Sequence, residues 1–157
     1  MTPVARREAR ERALSLLYEA ESKTASPADV LESLPVTPDA FTAELVRGVG
    51  SRIGEIDVLI EKHSIGWALD RMPAVDRAIL RIATYELLGR PDVPTAVALS
   101  EAVELASSYS TDESGRFVNG VLSAIAAELR QRPAALTDPA AENNSTAKAK
   151  NAGANQP

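Results

Sequence analysis

The 157-residue sequence contains no cysteine and a single histidine, His63. These two absences remove disulfide frameworks, thiolate metal sites, cysteine nucleophiles and His-rich metal clusters in one step, and they fit a reducing compartment. No run of about 18 apolar residues occurs, and the chain opens on arginines rather than an apolar segment. Neither a membrane span nor a signal peptide is expected, and the expected location is the cytosol. Aromatic residues make up only 4% of the chain, and the apolar content is mostly Ala, Leu, Ile and Val. No strand-like alternation of β-branched residues competes with helical spacing, so these small aliphatics predict an all-α fold. Positive charge is in the minority, with 17 Lys plus Arg against 22 Asp plus Glu. A chain of this balance binds nucleic acid only through a local basic patch.

The parts of an active site are missing as well. The glycines of Arg47-Gly48-Val49-Gly50-Ser51-Arg52-Ile53-Gly54 have neither the Lys-Ser/Thr nor the preceding strand of a phosphate loop. Acidic pairs such as Glu101 and Glu104 have the spacing of a solvated helical face. With one histidine and no cysteine, a nucleophile and base pair has little to be built from. The sequence predicts a binding protein without cofactor or metal, not an enzyme.

What is present is organised around residues 72–88. Val75, Ile79, Ile82, Ala83 and Leu87 share one helical face, and Ala78, Leu80 and Tyr85 widen it. Pro73 suits a helix start, and Gly89 followed by Pro91 suits a stop. An apolar arc this wide predicts a central helix packed on more than one side. Glu86 falls near the middle of that arc, where an ionised carboxylate requires a cationic or N–H partner. Arg77 and Arg81 fall on the opposite face beside Leu88, which reads as exposed; they form either a solvated basic face or a docking surface.

About seven helices are expected in a single domain over residues 1–132. The first covers 4–22, with Ala9, Ala13, Leu16, Leu17 and Ala20 facing inward. Ser26-Pro27 starts a second helix through Val30, Leu31 and Leu34, and Thr37-Pro38-Asp39 starts a third through Phe41, Leu45, Val46 and Val49. A break falls before Ile53, and Ile53, Ile56, Leu59 and Ile60 make a fourth. Trp67, Leu69 and Met72 read as core residues leading into the central helix. Pro94 opens a sixth helix buried through Leu99, Ala102, Val103 and Ala106, with Glu101 and Glu104 outward. Ser110 and Glu113 have capping-box spacing for a last helix whose core stripe is Val118, Val121, Leu122, Ile125 and Leu129. From Pro133 the composition turns to Ala, Asn, Thr, Lys, Pro and Gly, which predicts a disordered tail over 133–157.

Two features, the first helix's arginines with Tyr18 and the ring of Phe117, are poorly explained by packing. Arg6, Arg7 and Arg10 oppose the positive end of the first helix's dipole. They form either a phosphate-binding strip with Tyr18 available for stacking, or a set in which one arginine is the buried partner of Glu86 and the rest are solvated. Phe117 lies off the core stripe, beside Arg116 and near a helix start. It is either a plate for a nucleobase or a secondary packing contact.

Four segments, taken together, resemble the NusB family of transcription antitermination factors. They are Arg6-Arg7-Glu8-Ala9-Arg10-Glu11-Arg12-Ala13-Leu14 with Tyr18; Asp76-Arg77-Ala78-Ile79-Leu80-Arg81-Ile82-Ala83-Thr84-Tyr85-Glu86-Leu87; Asp92-Val93-Pro94 with Glu101-Ala102-Val103-Glu104-Leu105-Ala106; and Arg116-Phe117-Val118-Asn119-Gly120-Val121-Leu122. The resemblance implies two antiparallel helical bundles and binding of single-stranded boxA RNA from ribosomal RNA leaders. It also implies partnership with the small-subunit ribosomal protein NusE, and action on the RNA polymerase antitermination complex. Its RNA contacts fall here on Arg6, Arg7, Arg10, Tyr18, Glu113, Arg116 and Phe117. Its partner-protein side falls on Asp76 and nearby residues. Self-association in the family makes a homodimer through Arg77, Arg81 and Leu88 a further expectation. Two competing readings are a detached relative of the N-terminal domain of ribosomal RNA cytosine methyltransferases, and a structural dimer that binds no RNA.

Overall fold

Helix α5 (Ala74–Gly89) has ten of its 16 residues buried, more than a helix covered on one side can bury. Its neighbours are α1 (Pro3–Ser22), α3 (Ala40–Ser51), α4 (Ile53–His63), α6 (Thr95–Tyr109) and α7 (Asp112–Gln131), all of which pack against it. A short α2 (Pro27–Glu32) rests on α1 and α3. The computed structural model describes residues 1–132; the tail expected over 133–157 lies outside the described residues. The helices fall into two groups, α1–α3 and α4–α7, which share α5 as their common wall. One continuous apolar core runs from Ala13 and Leu16 through Ile79 and Leu80 to Leu122 and Ile125. Among the described residues, no helix is long and apolar enough to cross a membrane.

Local chemistry sets the boundaries. Thr2 and Ser26 accept hydrogen bonds from the N–H groups of Ala5 and Asp29, each at 3.1 Å, with a proline in the first turn of α1 and α2. Two expected starts shift. The cap of α3 is Asp39, which accepts from the Thr42 N–H at 3.0 Å, because a carboxylate two residues later outcompetes Thr37. The cap of α7 is Thr111, accepting from the Ser114 N–H at 3.0 Å, while Ser110 turns its hydroxyl to that of Ser114.

Two burial expectations are also corrected. In α6 the buried residues are Ala98, Ala102, Leu105 and Ala106, while Leu99 and Val103 are only half-buried. That helix is covered by α5 and α7 together, which rotates its inner face. Trp67 is exposed at 54%, whereas Leu69 and Met72 are buried as expected. The cause is the turn Ser64-Ile65-Gly66-Trp67. Gly66 has φ +83° and the Trp67 N–H donates to the Ser64 carbonyl at 3.2 Å. A left-handed glycine at the third turn position swings the next residue out of the line of the helix.

Candidate nucleic-acid interface

The three candidate arginines of the first helix, Arg6, Arg7 and Arg10, have different fates. Arg10 is buried at 3% exposure, and its Nε and Nη2 donate to Glu86 Oε1 and Oε2 at 2.7 and 3.3 Å. It is the cation that Glu86 requires, so Arg10 is a strut between α1 and α5 rather than an open phosphate ligand. Arg6 reaches Asp92 at 3.1 Å. Arg7 forks onto Glu101 at 3.0 and 3.1 Å and touches Glu104 at 3.0 Å, and the Glu101 bond followed by both carboxylate charges raises its pKa. Glu101, expected outward, is thereby covered: its side chain is 14% exposed.

Beneath these arginines, Phe41 collects three guanidinium groups. Arg6, Arg10 and Arg90 stand 5.2, 5.4 and 5.1 Å from its ring centre. Arg90 in turn forks onto Asp92 at 2.9 Å through both nitrogens and pairs with Glu44. The Arg90 bonds, with Arg6 assisting against partial burial, hold the Asp92 carboxyl down at about 2. The local basic patch thus exists, but each of its cations already carries an internal carboxylate.

The expected docking surface on α5 is corrected. Arg77 is buried at 8%; its Nη1 donates to the Leu69 and Met72 carbonyls, both at 2.8 Å, and its Nε donates to Glu21 at 3.0 Å. Arg81 forks onto Asp57 at 2.9 and 3.0 Å. Leu88 is half-buried against the core rather than exposed. Residues placed by helical spacing on a free face are covered here because α1 and α4 flank α5. Asp76, expected on the partner-protein side, is likewise buried, at 3%, where the first turns of α5 and α7 meet.

There the chain opens a cleft of about 400 Å³, lined by Trp67, Met72, Pro73, Asp76, Glu113 and Phe117 among others. The Trp67 and Phe117 rings stand 6.2 Å apart at 54°. At that separation they touch, leaving no slot between them, and form two adjoining walls of one corner. Phe117 is half-buried, its back on the core and its edge at the cleft. Glu113 lines the rim and Arg116 is exposed next to Phe117. Tyr18, 49% exposed, lies about 16 Å along α1 from Arg7. It sits toward the end where Glu21 meets Arg77 at the start of α5. The structure therefore separates the expected set into arginines at one end of α1 and an aromatic corner at the other. Trp67 is the functional candidate that sequence reasoning missed; Gly66, the third residue of Ser64-Ile65-Gly66-Trp67, was the available signal.

An all-helical scaffold that carries an arginine cluster on α1 and an aromatic cleft where α5 and α7 begin has the parts of a binding surface. The family model described as the NusB family matches residues 7–127. The chain belongs to the NusB family, whose members are transcription antitermination factors and not enzymes. It is 53% identical over 122 residues to the transcription antitermination protein NusB of Pseudarthrobacter chlorophenolicus, covering 75% of this chain and 90% of that protein. It is 47% identical over 137 residues to that of Myxococcus xanthus, covering 81% and 98%. A solved structure of T. maritima NusB superposes with a TM-score of 0.72 at 37% identity, covering 82% of this chain and 93% of that one. A structure of the antitermination factors NusB and NusE in complex with double-stranded RNA gives a TM-score of 0.69 at 30% identity, covering 81% and 99%.

Proposed function

We propose that this chain, acting in the cytoplasm, binds boxA RNA of ribosomal RNA leaders together with NusE and acts on elongating RNA polymerase. The observation that carries the RNA reading is the aromatic corner: an indole 54% exposed, braced against a half-buried phenyl ring, which core packing alone does not explain. Unstacked bases of a single strand offer the faces such a surface takes. Phe117 and Trp67 are the stacking plates, and Tyr18 extends the path along α1 toward Arg6 and Arg7. Arg116 supplies a phosphate contact beside the corner. Phosphates engage Arg6 and Arg7 by displacing Asp92, Glu101 and Glu104, an exchange of one anion for another. Arg10 takes part only by holding α1 on α5.

The test is binding of a boxA-like single-stranded RNA against a scrambled sequence and against a duplex, at one fixed salt concentration. Phosphate contacts alone give sequence-blind affinity, so the expected result is tighter binding of the boxA-like strand. Equal affinity for all three would remove the sequence-specific reading.

A further inference from the structure

We infer that Arg90 is a phosphate ligand of the RNA: with Arg6 it forms a two-guanidinium subsite that the Asp92 carboxylate fills until a phosphodiester displaces it. The inference rests on the RNA reading above and adds to its path a residue from the turn between α5 and α6.

Asp92 is held from two sides. Arg90 Nε and Nη2 donate to its Oδ1 and Oδ2, both at 2.9 Å, and Arg6 Nη2 donates to Oδ2 at 3.1 Å. The Arg90 fork is the planar, two-point grip that suits a phosphate as well as a carboxylate. Two cations, one from α1 and one from the end of α5, thus converge on a single anion whose side chain is 50% exposed. The spot favours negative charge strongly enough that the Arg90 bonds, with Arg6 assisting, hold the carboxyl at about 2.

The turn does not need this ion pair. The Val93 N–H donates to the Arg90 carbonyl at 3.1 Å, Val93 is buried, and Pro91 and Pro94 restrict the backbone on either side. The path of residues 90–94 is therefore fixed while the Asp92 side chain can rotate outward. The cations stay where they are when it leaves. Arg6 and Arg90 stand 5.2 and 5.1 Å from the Phe41 ring centre, and Arg90 keeps Glu44. The Arg10–Glu86 strut is the contrast, with both partners sealed inside. A displaceable anion on fixed, half-open cations is a site with an occupant built in.

In the exchange one negative charge replaces another, so no guanidinium is left unpaired. The gain is the difference between the RNA phosphate and Asp92, which makes Asp92 a brake on binding. Removing the carboxylate therefore tightens RNA binding and removing Arg90 loosens it. A purely structural ion pair would not give opposite signs.

The experiment uses the full chain and a boxA-like single-stranded RNA whose linkages are made neutral one at a time as methylphosphonates. Asp92→Asn is expected to bind the unmodified strand about threefold more tightly than wild type at low salt, the scale of the exposed ion pairs it removes. Arg90→Ala is expected to bind about fivefold more weakly, the scale of one lost hydrogen-bonded contact. Its slope of log affinity against log salt should fall by about 0.7, one phosphate of a single strand. At one linkage, neutralisation is expected to weaken wild type about fivefold and Arg90→Ala less than about twofold. Binding of Asp92→Asn equal to or weaker than wild type overturns the assignment, because the carboxylate then holds nothing back. Equal sensitivity of wild type and Arg90→Ala at every linkage also overturns it. The Asp92→Asn arm does not depend on Arg90→Ala folding: its gain should vanish at one neutral linkage, and a gain that persists at all of them counts against the subsite. The same ratios are expected on a scrambled strand, since a phosphate contact carries no sequence information. Equal wild-type affinity for boxA-like and scrambled strands thus ends the sequence-specific reading and leaves the subsite standing, whereas absent variant effects end the subsite alone.

Discussion

Arg10 and Glu86 close a two-point ion pair inside the protein, joining α1 to α5 across 76 residues of sequence. Burial pushes the Glu86 carboxyl up from its ordinary value, and the Arg10 fork opposes that push. Removing one partner of such a pair leaves the other as an uncompensated buried charge.

Arg10→Met is therefore expected to cost about 3–5 kcal/mol of stability, and adding Glu86→Leu is expected to return most of it. Urea unfolding of the two variants measures this. The pH dependence has a definite sign. A carboxyl whose folded pKa lies above its unfolded value binds its proton more tightly when folded. Its stabilisation is complete at low pH and is lost as pH rises through the folded pKa. The deficit of Arg10→Met should therefore be smaller at pH 5 than at pH 8; a deficit independent of pH would contradict the buried-charge account.

Asp92 carries the opposite sign. Held at about 2 against a reference of 3.8, it contributes stability above the reference value that is lost as pH falls toward 2. Asp92→Asn is expected to flatten that acid limb of the unfolding curve: the variant is modestly less stable than wild type at neutral pH, a small difference because the carboxylate is half-exposed, and the two converge as pH falls toward 2.

Internal neutralisation of Arg7 makes a further prediction. Glu104→Gln removes one of the two carboxylates on that guanidinium and should raise RNA affinity at low salt. Arg7→Ala should reduce the slope of log affinity against log salt by about 1. A titration series across salt concentration tests both, and an unchanged slope in Arg7→Ala would take Arg7 out of the RNA path.

For the aromatic corner, Phe117→Ala and Trp67→Ala should each weaken RNA binding by about 1–3 kcal/mol, the range for loss of one stacked base. Trp67→Ala should leave thermal stability nearly unchanged because its ring is mostly outside the core. Phe117→Ala should lower it. Unaltered RNA affinity in Trp67→Ala would limit the plate to Phe117.

Gly48 faces the ring of Tyr85 so closely that a methyl group there would overlap it. Gly48→Ala should destabilise the protein by about 1–3 kcal/mol, the range for overpacking. Combined with Tyr85→Leu, it should cost less than the two single changes added together, which thermal unfolding of all three variants measures.

The apolar periodicity of residues 74–89 made the central helix legible, and the lone carboxylate in that arc announced a buried cation. Which cation it was depended on the angle at which α1 crosses α5, a tertiary quantity that spacing along one helix does not contain. The same limit explains Arg77, Arg81 and Leu88. A helical wheel divides a helix into an inner and an outer side, and α5 has no outer side. Phe117 was legible because it departs from the stripe Val118, Val121, Leu122 and Ile125. Trp67 was not, because beside Leu69 and Met72 a tryptophan reads as core until the left-handed Gly66 is considered. Asp76 appeared only as part of a motif, since its burial depends on α7 starting beside it.

The long reach of the Arg10–Glu86 contact also bears on how the chain matures. Helix α1 is the first to emerge during synthesis, yet the carboxylate that anchors it is translated 76 residues later. Until then the apolar flank formed by Leu16 and Leu17 lacks its α5 partner, and only α2 and α3 offer it shelter. A nascent chain halted before α5 would present an unfinished greasy surface to chaperones and proteases, so premature stops in the first half should yield rapidly degraded fragments rather than a stable half-protein.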